Sequence, residues 1–216
     1  MNDRKQGLKA LCLSFLAVLG LIAFTATAAQ ASGNWMINGS ALKSNESISG
    51  ASEGSSVFKV PSIKLEISCK EATVSGTLEL NGLGKETMTF TKCESPGLPG
   101  CSPIEPITAK FLSEMLLHAE EPWLIFRPPV KGGSFTTIFF DPAKCALPEE
   151  NELTGAFAAL LGKEETTQHL LSFIAGKTAE SLFGLKYSFG INPAELAISS
   201  IWELSGANKG KVWGGV

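Results

Sequence analysis

At 216 residues, 44% hydrophobic and 18% charged, the chain is long enough to bury one sizeable core. A formal net charge of −3, with Arg127 the one arginine after Arg4, argues against nucleic acid and anionic membrane as partners.

The first 31 residues read as an export signal. Arg4, Lys5 and Lys9 form a basic segment, Ala10 to Phe24 an uncharged apolar one, and Ala29-Gln30-Ala31 a small-residue cleavage motif. The apolar segment is short for a bilayer span. No second one follows, so no membrane span is expected once the signal is removed. Cys12 opens the apolar segment, where Lys9 spoils a lipobox. Cleavage before Ser32 leaves one domain, residues 32–216. It takes the formal charge from −3 to −5, because the removed segment holds three basic residues and one acidic one, Asp3.

A polar run, "SNESISGASEGSS", follows as a flexible loop. Strand-like segments come next, "SVFKV", "SIKLEISC", "TVSGTLEL" and "ETMTFTKC", rich in threonine and in β-branched or aromatic residues. Ile63, Leu65, Ile67 and Cys69 share one face, Val74, Leu78 and Leu80 a second, and Met88 with Phe90 a third. Asn81 to Lys85, "NGLGK", is a hairpin loop. Pro106, Pro122, Pro128 and Pro129 place edges and loops in the middle of the chain. "KFLSEMLLHAEEPW" and "LTGAFAALLG" fit helical and alternating spacing alike, and the short distances between turns favour strands. "SFTTIFF" is a strand, and "SFIAGKTAESLFG" suits a short helix. "PAELAISSIWELSG" sets Leu196, Ile198, Trp202 and Leu204 on one side, together with the polar Ser200. The expected fold is all-β and mostly antiparallel, a two-sheet sandwich or flattened barrel with at most one short helix.

Signal removal leaves Cys69, Cys93, Cys101 and Cys145. An even number in an exported chain reads as two disulfides. Seven residues separate the nearest pair, which disfavours a zinc site built on close pairs. Read as a three-strand meander, residues 63–93 put Cys69 and Cys93 on outer strands about 9–10 Å apart. A disulfide wants Cα atoms within about 7 Å. Cys93 is also out of phase with Met88 and Phe90, so that this bridge would need a bulge. The "ESPGLPG" loop can close on itself, and the expected pairs are Cys93–Cys101 and Cys69–Cys145.

Catalytic patterns are incomplete. Gly50 to Gly54, "GASEG", matches a nucleophile elbow around Ser52, but a polar run precedes it and a strand follows, where an elbow needs strand then helix. "GKT", Gly176 to Thr178, lacks the first glycine of a phosphate loop. His118 and His169 stand in unrelated contexts, and Asp141 before Pro142 suits a turn. One aspartate cannot build a calcium loop. The pairs Glu120-Glu121, Glu149-Glu150 and Glu164-Glu165 read as solvated loop charge. Asn38 and Asn45 open formal glycosylation sequons. Trp202 and Trp123 are expected in the core, and Trp35 and Trp213 pack the ends together or offer a sugar-stacking surface. No cofactor, metal or catalytic residue is expected.

"NWMINGSAL", "LEISC", "TFTKC", "CSPIEPIT" and "ELSGANKGKVWG" together resemble a group of uncharacterised secreted proteins of high-GC soil actinobacteria. The likeness covers nearly the whole chain after the signal, most specifically Leu204 to Gly214. It implies export, a β-rich fold and paired cysteines, and carries no activity. The expected function is that of a secreted, non-catalytic extracellular or cell-surface domain with a binding or structural role toward an extracellular ligand. A secreted hydrolase of polysaccharide or ester, using glutamates or Ser52, is the alternative.

Overall fold

Alternating apolar and polar residues give long antiparallel strands. The computed structural model describes residues 33–118, 121–162, 164–175, 184–187 and 192–216, all within one compact unit, Ala31–Val216. The segment expected to be an export signal therefore lies outside the described residues. So does most of the candidate helix, of which Ser172 to Ala175 prove to be strand.

In chain order the strands are β1 (Trp35–Ile37), β2 (Ser40–Ala41), β3 (Glu46–Ser52) and β4 (Ser56–Val60). The longest strand, β5 (Leu65–Leu78), pairs with β6 (Leu83–Glu94). After them come β7 (Ile107–His118) and β8 (Glu121–Arg127), then the hairpin of β9 (Ser134–Phe139) and β10 (Glu150–Gly155). The chain ends with β11 (Phe157–Leu160), β12 (Gln168–Ala175), β13 (Leu185–Tyr187), β14 (Asn192–Leu204) and β15 (Trp213–Gly215).

The pairings close on themselves. From β5 the order runs through β6, β7, β8, β11 and β12 to β14, and β14 pairs both β3 and β4, which pair β5. Because β3 and β4 lie end to end across the bulge Glu53–Ser55, they occupy one position in an eight-position, up-and-down antiparallel barrel. Of the two expected architectures, the barrel is the one formed. A ring of this size has an interior that side chains can just fill. Aromatic rings take part in the filling: Phe126 stacks on Phe157 at 4.9 Å and meets Phe111 at 5.6 Å, Phe173 at 5.2 Å and Trp202 at 6.0 Å. Trp202 is buried as expected, and its Nε1–H donates to the equally buried Ser200 Oγ at 2.7 Å. That bond accounts for the polar residue on an apolar face.

Three readings are corrected here. The polar run is not a loop, since Glu46 to Ser52 form β3, held between β5 and β14. Residues 63–80 are not two strands, because β5 runs unbroken through Cys69-Lys70-Glu71-Ala72. Lys70 and Glu71 both face outward, so that inward positions shift from Leu65, Ile67 and Cys69 to Ala72, Val74 and Leu78. β6 shifts in the same place, where Lys92 adopts a φ of 56°. Glu105 holds this irregularity, its carboxylate accepting the backbone N–H groups of Lys92 (2.9 Å) and Cys93. The third correction concerns Trp123, which lies half-buried on the outer wall opposite Leu116 and Leu160, while Leu124 and Phe126 point inward.

Both barrel ends are covered. At one end the β9–β10 hairpin and β13 join β14, and Ile104 N–H donates to Phe139 O at 2.8 Å. At the other, β1, β2 and β15 form a three-stranded sheet from the two ends of the described chain. Asn38-Gly39 turns β1 into β2 and Asn81-Gly82 turns β5 into β6, each with both residues at positive φ, the backbone an Asn-Gly hairpin uses.

Candidate functional site

The four cysteines are paired, but not as expected. Cys69 is bonded to Cys93 and Cys101 to Cys145. Since β5 is one strand, Cys69 and Cys93 face each other on neighbouring strands with Cα atoms 3.9 Å apart. The matched irregularity in β5 and β6 turns both side chains inward. Cys101–Cys145 ties the segment before β7 to the β9–β10 turn, next to the bridge between Pro103 and Phe140. Cys93–Cys101 and Cys69–Cys145 are therefore both replaced.

Among the described residues, those with catalytic potential do not converge. Ser52 ends β3, and its Oγ accepts the Ala72 N–H at 2.9 Å. A strand does precede it, contrary to the sequence reading, but no helix follows. His169 is buried between two backbone carbonyls, Nε2 2.6 Å from Trp213 O and Nδ1 3.2 Å from Leu161 O. Asp141 does what its place before Pro142 suggested: it accepts the Ala143 N–H at 3.0 Å, and its pKa is lowered by Lys144 and that amide. Glu120 and the "GKT" segment lie outside the described residues. Among the described residues no group of His, Cys, Asp or Glu is placed to hold a metal.

Trp35 and Trp213 pack the ends of the domain together. Both are buried, with ring centroids 5.9 Å apart, and Trp35 Nε1–H donates to Leu83 O at 2.7 Å. His169 packs edge-on to Trp213 at 4.4 Å. A sugar-stacking surface is thereby ruled out for this pair, since neither ring is exposed.

Among the described residues, two spaces of very different size bear on ligand binding. Inside the barrel a chamber of about 60 Å³ is bounded by Met88, Phe90, Phe111, Phe135, Phe157 and Phe173. Ligand sites usually run from roughly 300 to 1,000 Å³, so the chamber is a gap in a filled core. On the outer wall a groove of about 630 Å³ crosses β3, β5, β6 and β7. Its hydroxyls come in facing pairs, Ser47 opposite Thr77 and Ser75 opposite Thr87. Lys85 and Lys110 supply its cations, and Leu112 and Pro129 its apolar surface.

Behind the groove lies a buried acid. Glu86 alternates with Met88 and Phe90 and so points into the barrel, where Ser113 Oγ–H donates to Oε1 at 2.7 Å. Oε2 has no hydrogen-bond partner among the described residues. Burial pushes the carboxyl up to about 8, against the opposing pull of Ser113. Gly76 and Gly84 make room for it, because a Cβ at Gly84 would run into both Glu86 Oε1 and Ser113 Oγ. The alternation of β6 makes this acid legible in the sequence beside Met88 and Phe90. The groove residues are not, because they come together only through the register of four strands.

Comparison with protein-family models, curated proteins and solved structures finds no match to this chain.

Proposed function

We propose that this chain is a secreted, non-catalytic barrel domain that binds an extracellular ligand on its outer wall, across β3, β5, β6 and β7. The observation that carries the reading is the contrast in space, a groove of about 630 Å³ outside against about 60 Å³ within. The signal-like pattern of the first 31 residues and the two disulfides support an oxidising, extracellular setting. The engagement of Ser52 with Ala72 and of His169 with two carbonyls supports a binding role over a hydrolytic one.

Ser75→Trp, placed in the middle of the groove, tests this. The exported protein should be retained by cell-envelope material or a glycan array. The variant should lose that retention while melting at the wild-type temperature. Retention unchanged by Ser75→Trp, or stoichiometric labelling of Ser52 by a fluorophosphonate probe, would overturn the proposal.

A further inference from the structure

We infer that the groove takes an anionic polysaccharide, a hydroxyl-bearing chain whose phosphate or carboxylate groups sit between Lys85 and Lys110. The inference rests on the outer-wall reading above and adds the ligand's chemistry. In the register of β6 and β7, Lys85 faces Leu112 and Thr87 faces Lys110, so the two lysines are diagonal neighbours on one face. Such positions lie about 7–8 Å apart, within about one Debye length, so two like charges there repel. Arg127 faces Leu112 from β8, so three cations surround this exposed leucine.

The compensation is partial. Lys85 Nζ is 2.7 Å from Glu79 and Arg127 Nη1 is 2.5 Å from Glu114, whereas Lys110 has no ion-pair partner among the described residues. Glu86, the one acid among the groove residues, points into the barrel and is bonded to Ser113 rather than to either lysine, and burial raises its pKa. In a chain whose net charge is −3, this is a local reversal of sign. A bound oxyanion relieves the lysine repulsion through charge-assisted hydrogen bonds. Facing hydroxyl pairs on β3, β5 and β6 supply donors and acceptors for the hydroxyls of a sugar or polyol chain. An open groove crossing four strands suits an extended polymer better than a compact molecule.

The test is direct binding of the exported protein to four probes: poly(glycerol phosphate), polygalacturonate, neutral dextran and duplex DNA. One or both of the anionic polysaccharide probes should bind, more weakly as salt is raised, and the stronger identifies the preferred anion. Lys110→Glu should weaken that binding at least about tenfold, the worth of one hydrogen bond to a charged group, and Lys110→Gln by less. Ser75→Trp should abolish it. Should dextran bind as well as the anionic probes, and Lys110→Glu bind like wild type while Ser75→Trp does not, the groove stands and the anionic ligand is refuted. Anionic binding that survives Ser75→Trp refutes the groove itself. Tighter binding to DNA than to either polymer, or no binding to any probe, overturns the inference outright.

Discussion

At one end of the barrel two disulfides secure the cover, Cys69–Cys93 within the wall and Cys101–Cys145 across to the β9–β10 hairpin. At the other, the first and last strands pair with each other and hold on through Trp35, Trp213 and His169. The core beneath differs too. Phenylalanines crowd the middle and the stapled end, while the plugged half encloses Glu86, Ser113 and Ser200. A covalent closure acts mainly by restricting the unfolded chain, whereas a packed plug depends on contacts that exist only in the folded state. The stapled end is thus buffered against loss of any one side chain, and the plugged end is not.

Glu86 gives the largest expected difference. An unfolded glutamate loses its proton near 4.5 and the folded one near 8, so between those values the folded state binds more protons. Raising the pH through this window therefore removes stability, up to about 5 kcal/mol, which is fully present only below the unfolded value. Urea midpoints of wild type and Glu86→Gln should diverge from mildly acidic to alkaline pH, with the variant the more stable when alkaline. Parallel profiles would mean that Glu86 is not held as described.

Trp213→Ala comes next. Removing a fully buried indole should cost about 3–5 kcal/mol and release β1 together with β15. Tryptophan fluorescence should report a more exposed Trp35, and a variant with wild-type stability would show that the plug contributes nothing. For the stapled end, replacing Cys69 and Cys93 by alanine opens a loop with a sequence separation of 24, worth about 3.5 kcal/mol in chain entropy. Peptide mapping without reductant should find Cys69 joined to Cys93. Recovery of Cys93–Cys101 would return β5 to two strands.

The smallest effect is expected at Ser200→Ala, which leaves the buried Trp202 N–H without its acceptor. About 1–3 kcal/mol should be lost by thermal or urea denaturation, and a loss well below that range would mean Trp202 finds another acceptor.

Which features were legible in the sequence follows the same division between local and distant causes. β4, β6, β9 and β14 declare themselves by alternation, and Asn81-Gly82 by its turn chemistry, since both signals are local. β3 did not, because a Ser/Gly-rich segment has little strand preference and is held there by β5 and β14 on either side. Two residues hide the cysteine pairing from the sequence. Lys70 and Glu71, adjacent and both outward, look like a turn unless a partner strand bends with them, and Lys92 does so 22 positions later. The groove was hidden for a related reason. Lys85 and Lys110 are separated by a long loop and meet only in register.

Backbone hydrogen exchange with and without reductant tests the contrast between the two ends most directly. In the oxidised protein, amides of β1 and β15 should exchange sooner than those of Ile104 and Phe140 at the stapled end. Reduction should remove protection at Ile104, Phe140 and the β9–β10 hairpin while leaving Trp35 to Ile37 and Trp213 to Gly215 as they were. Earlier exchange at the stapled end before reduction, or loss of the plug's protection on reduction, would contradict the account.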